Sequence, residues 1–119
     1  MKKTLVIGAS TNETRYSNIA THRLLSHGHE VVLVGNKKDE IEGLPIHDDK
    51  PFFENIDTVT LYVNPKNQED YYDYILNLKP KRIIFNPGTE NNTFLALANK
   101  QGIETEYACT LVLLATGGY

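Results

Sequence analysis

Short apolar runs alternate along this chain with stretches in which apolar residues recur every three or four positions. Thr4-Leu5-Val6-Ile7 reads as a buried strand. Ile19, Ala20, Leu24 and Leu25 share one face of a helix over Ser17 to His27, with Ser17 as its N-cap and Gly28 at its end. Val31 to Val34 is a second strand, ending at Gly35-Asn36. The alternation then lapses from Lys37 through Gly43-Leu44-Pro45; Ile46 belongs to a short extra strand or a turn, and Phe52-Phe53 begins a brief helix under the sheet. Thr58 to Val63, mostly β-branched, is the third main strand.

Asn64-Pro65 starts a helix whose apolar face is Tyr71, Tyr72, Ile75, Leu76 and Leu78, closed by Pro80. Arg82 to Phe85 is a fourth strand with Asn86-Pro87-Gly88 as its terminal turn. Thr93 to Lys100 is a helix ended by Gly102, and Ile103 to Tyr107 a fifth strand. Strand and helix in regular alternation predict an α/β fold: a Rossmann-like, doubly wound sheet of about five parallel strands in the order 3-2-1-4-5, with helices on both faces. Ligands of such sheets bind at the carboxyl ends of the strands. The turns there are Gly8 to Ser17, Gly35 to Lys38, Asn64-Pro65 and Asn86 to Gly88. The apolar tail Thr110 to Ala115, with Thr110 as its cap, either closes the sheet edge or buries against a second subunit, in a homodimer or with another protein partner.

At 119 residues the expectation is one domain, 1–119. A formal charge of −3 argues against a general nucleic-acid surface and permits a small basic site. Tyr71, Tyr72 and Tyr74 could stack bases, but Glu69, Asp70 and Asp73 beside them oppose that use. The opening Met-Lys-Lys-Thr-Leu-Val-Ile is superficially like a secretory signal, yet its apolar core is only Leu5-Val6-Ile7, and no run approaches the ~20 residues of a membrane span. A cytoplasmic protein is expected. The histidines lack metal-site spacing, so no metal is expected. Cys109 is either a reactive thiol or a buried, inert one.

The strand-turn-helix at the N-terminus has the form that holds a nucleotide pyrophosphate, with Gly8 permitting close backbone approach. The full G-x-G-x-x-G pattern is not met, because Ser10 and Glu13 stand at its next two glycines. Asn36-Lys37-Lys38 stand where an NAD site needs an acid, which favours a phosphorylated ribose: coenzyme A with its 3′-phosphate, or NADP with its 2′-phosphate. Arg15 adds a charge-assisted donor, and the Ser10 and Ser17 hydroxyls complete the shell.

Gly8-Ala9-Ser10, Arg15-Tyr16-Ser17-Asn18, Leu24-Leu25, Gly28-His29-Glu30-Val31-Val32 and Glu40-Ile41-Glu42-Gly43 together resemble the small stand-alone CoA-binding domain proteins, whose fold is similar to the nucleotide-binding domain of the succinyl-CoA synthetase alpha subunit. The resemblance runs over nearly the whole chain. It implies that Gly8, Ser10, Arg15 and Ser17 meet the CoA pyrophosphate and Lys37 the 3′-phosphate. The chain departs from the family in reading Val34-Gly35-Asn36 for Val-Asn-Pro, and Tyr107-Ala108 where relatives often carry Asp-Arg.

These readings combine into a non-catalytic CoA-binding protein. Its pyrophosphate site would be Gly8, Ala9, Ser10, Arg15, Tyr16 and Ser17, and its adenosine site Gly35, Asn36 and Lys37 with Lys38 beside them. The pantetheine arm would cross towards Asn64, Asn86, Pro87, Gly88 and Cys109. No constellation of acid, base and nucleophile is present. The alternatives are a small NADP-dependent oxidoreductase, or a ligand-free interaction domain using the apolar tail.

Overall fold

The computed structural model describes Met1–Tyr119 and contains one seven-stranded sheet. In chain order the elements are β1 (Thr4–Ile7), α1 (Tyr16–Ser26), β2 (Val31–Val34), β3 (Asp39–Ile41), β4 (Leu44–His47), β5 (Thr58–Leu61), α2 (Pro65–Gln68), a 3-10 turn (Glu69–Tyr71), α3 (Tyr72–Leu78), β6 (Arg82–Phe85), α4 (Asn92–Lys100), β7 (Glu104–Tyr107) and α5 (Thr110–Thr116). The sheet runs β3-β4-β2-β1-β5-β6-β7, parallel throughout except where β3 meets β4. No helix is long and apolar enough to cross a membrane.

The doubly wound α/β class stands, with seven strands rather than five. The strand beginning at Thr58 lies on the far side of β1, Thr4 facing Thr58. The place beside β2 belongs to β4, where Leu33 pairs with Ile46. The five expected strands therefore run 2-1-3-4-5 rather than 3-2-1-4-5, because β4 takes the place beside β2 expected for the Thr58 strand. The short extra strand expected at Ile46 is this β4, and the polar segment before it supplies β3, the other half of a hairpin. Glu42 (φ 51°) and Gly43 (φ 79°) both take left-handed conformations between β3 and β4, the geometry of a two-residue hairpin turn.

Several local expectations are corrected. Ser17 does not cap α1: the cap is Arg15, whose side chain makes no capping bond, and Ser17 is a buried residue of the first turn. Phe52-Phe53 forms no helix. Cys109, not Thr110, precedes the first residue of α5. Asn64 does cap the next helix, its side chain accepting from Asn67 N–H at 2.9 Å with Pro65 at the first helical position. Gly28 (φ 83°) ends α1 in a Schellman motif, its N–H bonding to Leu25 O and that of His29 to Leu24 O.

The two faces of the sheet bury different material. Leu5, Ile7, Val59, Leu61, Ile83 and Phe85 point to the face covered by α3 and α4 and pack with Ile75, Phe94 and Ala98. On the opposite face Val6, Leu33 and Ile46 meet Leu24 of α1 and Leu114 of α5. That second face also carries Thr4, Thr58, Thr60 and Arg82, all buried. The apolar tail therefore folds back over its own sheet beside α1, with Leu114 in the core.

Candidate functional site

The carboxyl ends of β1, β2, β5 and β6 lie in register, with Ile7 beside Val34 and Leu61, and Leu61 beside Phe85. The residues that follow them build one rim. Gly8 leaves β1 with φ 94°, and a Cβ there would press on the Tyr62 carbonyl at 3.0 Å and Val63 at 3.1 Å. Glycine is thus required twice, by conformation and by space. Gly35 is buried for a related reason: any Cβ would overlap the carbonyl oxygen of Ala9. It lets the two turns nest and lines no cavity itself.

Three adjoining cavities follow the rim. The central one, about 480 Å³, is lined by Gly8, Thr14, Arg15, Tyr16 and Ser17 on one wall and by Tyr62, Val63, Asn64, Pro87, Gly88 and Thr89 on the other. A second, about 180 Å³, shares Gly8 and Arg15 and extends along Ala9, Ser10, Thr11, Asn36, Lys37, Asp39 and Ile46. A third, about 220 Å³, shares Tyr16, Tyr62 and Pro87 and ends against Asn86, Cys109 and Leu111. The structure brings every expected site residue except Gly35 onto this trough; Lys38 lines none of the three.

The donors of the turn are distributed unevenly. The amides of Gly8 and Ala9 both donate to Val34 O, at 2.9 and 3.0 Å, so they hold β1 to β2. The amides of Ser10, Thr11, Tyr16 and Ser17 have no partner within the chain, the last two because they open a helix whose first N–H groups lack intrahelical acceptors. Asn18 fixes the loop by donating from Nδ2 to Ser10 O at 2.9 Å, and Ser10 Oγ accepts from Asn12 N–H at 3.1 Å. Arg15 and Lys37 are exposed and join no ion pair. A helix start with open donors, flanked by unpaired cations, attracts an anion.

Asn86 has a different role from its neighbours Pro87 and Gly88. Its side chain is 1% exposed; Nδ2 donates to Thr60 Oγ1 at 2.7 Å and Leu61 O at 2.9 Å, while Oδ1 accepts from Thr110 N–H at 2.9 Å. It ties β5, β6 and the start of α5 together, and so sets where Cys109 and Leu111 stand. Gln68, fully buried, does the same for the wall carrying Gly88, donating to Val63 O and Thr89 O and accepting from Asn91.

Several residues of the trough, Thr11, Thr14 and Thr89 among them, escaped the sequence reading, and Tyr62 and Asp39 are the two that carry most chemistry. Tyr62 lies one position beyond β5, and its hydroxyl is buried without a hydrogen bond; burial pushes its pKa up to about 12. Asp39 places a carboxylate in the Lys37 cavity, at the second strand's rim where the sequence showed no acid. Asn18, which lines none of the three cavities, entered the sequence reading only as the end of the Arg15-Tyr16-Ser17-Asn18 run, without its bond to Ser10. Tyr62 falls inside the expected strand Thr58 to Val63 and Asp39 in the polar stretch after the second strand, and neither position fixes a contact until the pairing of strands is known.

A family model described as the CoA binding domain matches residues 2–115. An uncharacterised protein of known crystal structure is 52% identical over 100% of this chain and 98% of its own, with a TM-score of 0.98. A conserved hypothetical protein from Pyrococcus furiosus is 28% identical over 98% of this chain and 99% of its own, with a TM-score of 0.81. A dinucleotide-forming acetyl-coenzyme A synthetase from Ca. Korarchaeum cryptofilum, solved with phosphate and ADP, shares the fold at 18% identity and a TM-score of 0.74; 90% of this chain corresponds to 25% of that one. No curated protein matches the chain.

Proposed function

The chain belongs to the CoA-binding domain family, and from that premise we propose that residues 1–119 act as one domain that holds coenzyme A without transforming it. The observation that carries the reading is the unbroken trough in which Gly8 and Arg15 line both the central cavity and the Lys37 cavity. The pyrophosphate sits at the start of α1, on the open amides of Tyr16 and Ser17 with Arg15 beside it. The adenosine lies along Ala9, Ser10, Asn36 and Lys37, where the Lys37 ammonium meets the 3′-phosphate and Asp39 accepts from the ribose hydroxyl. The pantetheine arm crosses Asn64, Pro87 and Gly88.

A binding rather than a catalytic role is supported by the groups at the arm's end. A proton-transfer group works best with a pKa near the operating pH, and burial moves Tyr62 far above it. Titration with CoA, dephospho-CoA, NAD and NADP, followed by thermal unfolding, tests the proposal, since a ligand held only by the folded state adds about 2.7 kcal/mol at a hundred times its Kd. CoA should raise the midpoint most and dephospho-CoA less. A rise with NADP alone would replace this reading with a reductase.

A further inference from the structure

The third cavity is larger than a thiol needs and has the wrong lining for water. Its walls are the rings of Tyr16 and Tyr62, Pro87, Leu111, Cys109 and Asn86. Asn86 is its one amide, and that side chain makes three hydrogen bonds inside the fold. The Tyr62 hydroxyl is buried beside Thr60 and Thr110. Cysteine behaves in such surroundings as a small hydrophobe with a weak donor. Water held here would find too few of the two to four polar partners that anchor it, so an apolar group that displaces it gains affinity.

Size and position then limit the occupant. The cavity holds about 220 Å³, several times the ~30 Å³ that one water occupies in the liquid. It adjoins the central cavity at Tyr16, Tyr62 and Pro87, which line both. It therefore lies where the arm of a ligand in the trough would end. A free thiol would leave most of this space empty, whereas a chain of a few carbons attached to that sulfur would fill it.

We propose that this cavity receives the acyl group of a CoA thioester, so that the preferred ligand is a short-chain acyl-CoA rather than free CoA. This rests on the reading of the trough as a CoA site. The wall that sets the chain length is Leu111, half-buried in the first turn of α5 and held in place through the bond from Thr110 N–H to Asn86.

Calorimetric titration of the full chain with CoA, acetyl-CoA, butyryl-CoA and octanoyl-CoA tests it. Each fully buried methylene strengthens binding about fourfold, so butyryl-CoA, with two more, should bind about fifteenfold tighter than acetyl-CoA, and octanoyl-CoA should gain nothing more. Leu111→Trp should bring the butyryl-to-acetyl ratio close to one. Leu111→Ala, which asks less of the fold, should move the best chain length upward. Equal affinity across the series, or a ratio that neither variant alters, overturns the acyl pocket while leaving CoA binding in place. Absence of binding by CoA and all its thioesters overturns both.

Discussion

At the amino-terminal rim of the sheet, Lys3 reaches Glu30 at 3.7 Å, and Lys2 N–H donates to His29 Nδ1 at 3.0 Å. Arg82 donates to Thr58 Oγ1 at 3.1 Å and lies over the Tyr119 ring. At the carboxyl rim, one strand length away, Arg15 and Lys37 meet no acid, and two amides of the first α1 turn meet no acceptor. The chain uses the same side-chain types at both rims, but at one they face each other and at the other they face the trough. A polar group with a partner in the fold contributes stability; one left without a partner at the surface is available to a ligand. The carboxyl rim itself has two layers in this respect, with Asn86 and Gln68 fully engaged beneath and the cations open above.

The sharpest way to break that comparison is to exchange the two layers. Asn86→Ala removes the partner of Thr110 N–H and of Leu61 O and loosens Thr60. A buried group left unsatisfied costs ~1–3 kcal/mol, so the variant should lose about 3 kcal/mol in urea unfolding at unchanged m. A loss below ~1 kcal/mol would place Asn86 with the open layer.

Arg15→Ala asks the opposite question. Its side chain makes no bond within the fold, so stability should stay within ~0.5 kcal/mol of the parent. Affinity for CoA should fall by ~1.5–3 kcal/mol, the contribution of a hydrogen bond to a charged group. Unchanged affinity with unchanged stability would remove Arg15 from the site. Reduced stability would show that it belongs to the paired set after all.

What was legible in the sequence divides along the same line. β1, β2, β5 and β6 were visible as apolar runs, and the turn from Gly8 to Ser17 was visible because a strand-turn-helix is built from consecutive residues. The network of Thr60, Asn86 and Thr110 joins positions up to fifty apart in the chain, and no local spacing announces it. Thr58 and Thr60 looked like ordinary strand formers, since β-branching suits a strand whether the hydroxyl is needed or not. β4 was legible only as a short extra strand or a turn at Ile46, because Pro45 and the charged β3 paired with it blur the apolar pattern. Leaving it out of the main strands lowered their count and put the Thr58 strand on the wrong side of β1, without changing the class of fold.

The smallest effect sharpens the comparison from the amino-terminal rim, where a titrating group is held by the fold. His29 accepts from Lys2 N–H and packs against the Tyr119 ring at 4.9 Å between centroids. Burial first, and then the positive charges of the N-terminus, His27, Lys2 and Arg82, lower its pKa from the usual 6.5. The unfolded chain therefore takes up a proton at His29 near pH 6.5, while the folded one resists until the pH is lower. Unfolding binds the extra proton, so the stability contributed by neutral His29 is complete above that value and declines as pH falls below it. Between pH 7.5 and 5.5 the melting midpoint of the parent should drop further than that of His29→Gln, which keeps an acceptor for Lys2 without titrating. Parallel pH profiles for the two proteins would mean that His29 protonates as readily in the fold as outside it, and that this rim is less closed than its bonds indicate.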